Sequence, residues 1–194
     1  RGDGATNHFH TGAFLRSGLD YGYPDLQFHF LPVAMDYDGK DSYRGHGFQV
    51  HVGPMKPTSR GSITLNPKDP GLAPKILFNY NATEQDQQVM RRGIELAREL
   101  INSQPFSELK GKELRPGPVD LTEFVHRFGE SAYHPSGTCR MGRDADAVVA
   151  PDGVVKGVSG LRVVDASIMP EITNGNLNAV VVMMAEKIAA QILA

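Results

Sequence analysis

Two stretches of this chain hold residues whose types and spacing could do chemistry. The first is Tyr133-His134-Pro135-Ser136-Gly137-Thr138-Cys139-Arg140-Met141-Gly142. Pro135 drives the residue before it toward an extended backbone and Gly137 permits a tight turn, so the His134 imidazole sits on a restricted loop. An imidazole held in place is the usual proton acceptor near neutral pH. The second stretch runs from Leu161 through Arg162-Val163-Val164-Asp165-Ala166-Ser167-Ile168-Met169-Pro170 to Asn174-Gly175-Asn176-Leu177-Asn178, where an apolar helix begins. Asn178 stands where an N-cap belongs. The helix it opens would turn free N–H groups and the positive end of its dipole toward anything that gains negative charge during a reaction. Residue types alone leave both stretches open: a loop histidine is structural as readily as catalytic, and Asn174, Asn176 and Asn178 are also good turn and cap formers.

The elements that must position these residues are partly legible. Leu26, Phe28 and Phe30 alternate with Gln27 and His29, and Phe48, Val50 and Val52 alternate with Gln49 and His51, the period of half-buried strands. Ile63 and Leu65 suggest a third strand and residues 75–78 a fourth, with Pro67, Pro70, Gly71 and Pro74 between them, which together predict an antiparallel sheet. Thr83 is an N-cap with Asp86 three residues on, followed by Val89, Met90, Ile94, Ala97, Leu100 and Ile101 at helical spacing. A second helix is expected from Asp120, carrying Phe124, Val125 and Phe128 and ending near Gly129. A hairpin turning at Pro151-Asp152-Gly153 and a short strand over 161–165 follow. The last helix, about 178–193, is apolar nearly all round, so it is expected to be buried on several sides.

The 194 residues are 40% hydrophobic and 22% charged, enough for a real core, and the net charge of -2 leaves no basic footprint for nucleic acid. Cys139 is the single cysteine, which excludes an internal disulfide and fits a reducing compartment. No apolar run approaches the roughly 20 residues of a membrane-spanning helix.

Taken in order, His134-Pro135-Ser136-Gly137-Thr138, Val163-Val164-Asp165-Ala166-Ser167-Ile168-Met169-Pro170 and Asn176-Leu177-Asn178 resemble the C-terminal region of the glucose-methanol-choline oxidoreductases. Pro24-Asp25-Leu26-Gln27-Phe28-His29-Phe30-Leu31-Pro32 and Gly47-Phe48-Gln49-Val50-His51-Val52-Gly53-Pro54-Met55 extend the likeness across nearly the whole chain, toward the family's choline-oxidising branch. The resemblance implies an α+β fold, an antiparallel or mixed sheet flanked by helices. Residues 1–130 would form the substrate-binding domain. Residues 131–194 would carry the active-site loop and a segment that completes the FAD domain.

It also implies roles. His134 would handle the alcohol proton as hydride leaves for flavin N5, and Asn178 would hydrogen-bond the substrate oxygen. His29, Phe9 and Tyr133 would line the alcohol pocket. Asp165, Ala166, Asn176 and Asn178 would face the cofactor, FAD. The substrate would be choline or a similar small alcohol, with other uncharged aliphatic alcohols as the alternative. The location would be cytoplasmic, peripheral to the inner membrane at most.

No Gly-x-Gly-x-x-Gly after a strand occurs in the sequence, so the usual grip on a dinucleotide is absent and the expected partner is a missing N-terminal FAD-binding half. The chain is accordingly expected to be a piece of a longer protein, inactive alone. Two rivals remain at this point. Seven histidines, with His8 and His10 as a His-x-His pair, could suggest a metal hydrolase, but acidic or cysteine partners do not recur at ligand spacing. A free-standing binding module without redox function is the other.

Overall fold

The alternation from Leu26 to Leu31 sends Leu26 and Phe28 inward, and in the computed structural model both are essentially sealed from solvent. The structure describes residues 7, 9, 11–35, 43 and 45–194; His8 and His10 lie outside the described residues. The chain forms two units, one of residues 1–58 and 81–132, the other of residues 59–80 and 133–194.

In the first unit, β1 (Thr11–Leu15), β2 (Leu26–Leu31) and β3 (Gln49–Pro54) make an antiparallel sheet in the order β1-β2-β3. Ala13, Phe28 and Val52 lie in one cross-strand row, and Gly12, His29 and His51 in the next. Successive residues point to opposite faces, so Leu26 and Phe28 meet the helix α1 (Glu84–Ile101) through Val89, with Val50, Val52, Leu96 and Ala97 around them. Gln27, His29 and His51 are left on the other face. Phe30, Phe48 and Phe106 extend the packing as an aromatic trio, with centroids 5.2 to 6.1 Å apart.

Caps set the helix ends. Thr83 accepts a hydrogen bond from the Asp86 N–H. The buried Asp86 carboxylate in turn accepts from the Thr58 N–H (2.8 Å) and hydroxyl (2.9 Å), fastening the chain beyond β3 to the first turn of α1. The helix α2 (Leu121–Phe128) is capped by Asp120, which accepts from the Glu123 N–H, and ends at Gly129. Thr122 accepts from Arg91, linking α2 to α1.

Gly93 is where α1 comes closest to the sheet: a Cβ there would lie 2.8 Å from Val52 Cγ2 and 3.1 Å from a Leu26 methyl. Alanine gains about 1 kcal/mol of helix propensity over glycine, but overpacking against a β-branched neighbour costs roughly 1–3 kcal/mol. Gly93→Ala is therefore expected to destabilise by about 1 kcal/mol, seen as a lowered urea midpoint at unchanged m-value. An unchanged or raised midpoint would show that the sheet yields freely.

In the second unit, β4 (Ser62–Thr64) and β5 (Lys75–Leu77) form a two-stranded antiparallel ribbon. The core is Val149, Ile168 and Ile188, with Met141, Val155, Val163, Val164 and Met184 packed on it. The turn at Pro151-Asp152-Gly153 closes by hydrogen bonds from Gly153 N–H to the Ala150 carbonyl and from Ala150 N–H to the Val154 carbonyl. Gly153 there adopts φ 80°, the left-handed region open to glycine.

Several expectations change. The α+β class holds, but the four expected strands do not share a sheet: the 62–64 and 75–77 pair stands in the other unit, and the three-stranded sheet recruits β1, whose Gly12 and Ala13 carry no alternation signal. The expected strand over 161–165 reduces to one bridge, Arg162 opposite Val154. The last helix, α3 (Asn178–Leu193), is not buried on several sides. Only Ile188 is buried, while Val182, Met183 and Ile192 are each about half exposed.

Candidate active site

The His134 loop is fixed by its backbone. N–H groups of Gly137, Cys139 and Met141 donate to the carbonyls of Ala166 (3.3 Å), Ser167 (2.9 Å) and Ile168 (2.8 Å). Two motifs about thirty residues apart are thereby sewn together. Gly137 takes φ 85°, as the expected tight turn requires, and Tyr133 takes φ 59°, a left-handed conformation that a bulky side chain holds only where its surroundings impose it. His134 is half-buried and Tyr133 is 70% exposed. Downstream, Arg140 clasps Asp144 with two bonds of 2.6 and 3.0 Å, and the guanidinium holds that carboxyl far below its usual range. This clasp is solvent-exposed, so it shapes the loop more than it stabilises the fold.

Asp165 opens the short 3-10 turn Ala166–Ile168 and accepts from both the Ser167 N–H (2.7 Å) and hydroxyl (2.5 Å). One carboxylate oxygen is thus committed to local structure. Asn178 is not the cap of α3. That place belongs to Leu177, already helical at φ -79° and ψ -29° and anchored by burial, so Asn178 falls one residue inside, exposed. The Leu177 side chain makes no capping hydrogen bond, as expected of an apolar residue at that position. Asn176 is exposed on the turn just before it.

His134, Tyr133, Asp165, Ala166, Asn176 and Asn178 all belong to the second unit. Its core carries Met141 from the loop, Ile168 from the 3-10 turn, and Met184 and Ile188 from α3. His29 and Phe9 belong to the first unit, where Phe9 presents its ring edge-on to the His29 imidazole (centroids 6.2 Å, 79° between planes). His51, directly across from His29, and Gln49, bonded to His51 at 2.7 Å, were read in the sequence only as polar strand positions. Their two-residue spacing, once aligned with His29, is the signal that they share its face. Burial, then the neighbouring His29, hold the His51 pKa below its ordinary value. No group of three or more potential metal ligands occurs among the described residues.

Backbone hydrogen bonds thus join the His134 loop to the aspartate-capped turn within one α+β chain, and comparison with known proteins gives its family. The family model described as GMC oxidoreductase matches residues 57–185. The chain belongs to that family, in its C-terminal part. It is 49% identical, over 98% of its length, to a protein of Cronobacter sakazakii named oxygen-dependent choline dehydrogenase, of which it spans 35%. Among solved structures it is similar to pyridoxine 4-oxidase from Mesorbium loti, with TM-score 0.81, 30% identity, and 93% of this chain and 37% of that one covered. It is also similar to a formate oxidase of Aspergillus oryzae RIB40 studied for FAD modification, with TM-score 0.79, 30% identity, and 88% and 31% covered. The chain thus spans about a third of the relatives it matches.

Proposed function

We propose that this chain is the substrate-side and C-terminal portion of an FAD-dependent alcohol dehydrogenase whose donor is choline, oxidised to betaine aldehyde in the cytoplasm. The observation that supports the reading is the joining of the His134 loop to the Asp165 turn by three backbone hydrogen bonds, which fixes the loop that carries the histidine proposed as proton acceptor. The relative's name supplies the substrate.

In this reading residues 1–130 form the substrate-binding domain, and residues 131–194 carry the active-site loop and the segment that completes the FAD domain. His134 takes the hydroxyl proton, and Asn178 hydrogen-bonds the same oxygen. Phe9 and His29 in the first unit and Tyr133 in the second are assigned to contact with the alcohol. Asp165 keeps one oxygen for contact outside its own turn, and Ala166 and Asn176 line the approach to the cofactor. FAD, when bound, supplies the two-electron acceptor for the carbinol hydride. The positive end of the α3 dipole, where Leu177 makes no side-chain cap, fits negative charge at the cofactor's edge. Among the described residues no helix is long and apolar enough to cross a membrane.

This portion has no Gly-rich pyrophosphate loop, so the purified chain is expected to be colourless, and co-expression with an upstream FAD-binding half should restore visible flavin absorbance that choline bleaches. Stoichiometric flavin bound to the chain alone would overturn the two-part reading. A second reading, an uncharged primary alcohol as substrate, is favoured by the likeness to pyridoxine 4-oxidase. Comparing choline with an uncharged alcohol of equal size in the restored enzyme separates the two.

A further inference from the structure

Residues 166–168 hold one side of the His134 loop, and a second set of contacts, all within the same unit, holds the other. The Arg140 N–H donates to the Gly137 carbonyl (3.2 Å), closing the tight turn that follows His134 and Pro135. The Arg140 carbonyl accepts from the Val148 N–H (3.1 Å), and the Gly142 N–H donates to the Val149 carbonyl (3.0 Å). To bring residues 148 and 149 back beside 140 and 142, the chain must reverse over residues 143–147. That reversal is built around Asp144. Its two carboxylate oxygens each accept from the Arg140 guanidinium, at 2.6 and 3.0 Å, and Oδ1 also accepts from the Asp146 N–H at 3.1 Å. The Asp144 backbone carbonyl accepts from the Lys156 ammonium (2.5 Å). Gly142 lies inside the clasp: a Cβ there would come 2.7 Å from Asp144 Oδ2 and 3.2 Å from Arg140 Nη1.

We infer that Arg140 and Asp144 are positioning residues that set the His134 loop for proton transfer. The inference rests on the reading of His134 as the proton acceptor proposed above. An ion pair whose carboxylate side chain is 54% exposed adds little to the stability of a fold. A planar guanidinium that meets both oxygens of a carboxylate nevertheless fixes direction as well as distance. Here that fork spans Gly142 and so fixes the angle at which the chain leaves the loop, from the same residue whose N–H closes the Gly137 turn. Without it the backbone bonds at 166–168 still hold the loop, but the reversal at Asp144 is free to shift and to carry the turn with it. A displacement of about 1 Å, even one that begins away from the reacting atoms, can cost about 100-fold in rate.

The test uses the full-length enzyme with choline as substrate. Arg140→Met keeps the aliphatic stem and removes the fork, and Asp144→Asn breaks the pair from its other end. Each is expected to lower kcat about 10-fold, with KM within about 2-fold of wild type and with the urea midpoint and flavin content unchanged. The double variant is expected to lose no more than either single one, since the two side chains act through one contact. Losses that multiply in the double variant overturn the inference, and so does a loss that appears only together with a lowered midpoint or missing flavin, the mark of simple damage to the fold. Single variants that turn over within about 2-fold of wild type, where His134→Ala has lost its turnover, overturn the inference and leave the reading of His134 intact. A His134→Ala enzyme with near-wild-type turnover overturns both.

Discussion

In the full-length enzyme, His134→Ala is expected to lower kcat by about 100-fold or more, with a smaller change in KM, because a positioned general base typically contributes a factor of 100 to 10,000. The expectation follows from where the backbone hydrogen bonds fall. Gly137, Cys139 and Met141 tie the loop to residues 166–168 without involving the His134 side chain, so removing the imidazole should leave the loop in place. The loss should be greatest at low pH and shrink as hydroxide or added imidazole substitutes for the missing base. Turnover within about 3-fold of wild type would remove His134 from the chemistry.

The largest structural effect is expected at Ile168. This side chain is fully buried, packs with Val149 and Ile188, and has Met141 and Met184 around it. Ile168→Ala removes buried methyl and methylene groups and leaves a cavity, at a cost of about 2–5 kcal/mol. The upper part of that range is expected, since the Ile168 carbonyl also accepts from the Met141 N–H and the backbone cannot readily collapse into the space. Urea unfolding of the chain with and without the substitution measures it. A loss below about 1 kcal/mol would mean that the three pieces are not held by a common core.

What the sequence disclosed tracks how local each feature is. Thr83 and Asp120 announced two helices because a cap is a contact between residues three apart. The alternation from Leu26 to Phe30 announced β2 because burial on one face repeats every second residue. β1 stayed hidden because Gly12 and Ala13 carry almost no side chain to alternate. The separation of the 62–64 and 75–77 pair from the main sheet depends on long-range packing that no window of sequence contains. The start of α3 was misread by one residue because Asn178 has the better capping chemistry, whereas the buried Leu177 decides where the helix begins.

The apolar character of α3 was also legible, but its surroundings were not. Val182, Met183 and Ile192 are each about half exposed, because how much of an apolar helix is covered depends on long-range packing that its own sequence does not state. At the candidate site, the residue types of His134, Asp165 and Asn178 were plain in the sequence. The hydrogen bond between Gln49 and His51 was not, since it depends on how two side chains of β3 turn toward each other.

The three N–H bonds that fasten residues 137–141 to residues 166–168 carry one further implication. A segment pinned at every second amide has little freedom to swing as a flap, and it can be released only by breaking its anchors together. On the function proposed above, substrate entry and product exit would then be timed by some other part of the enzyme.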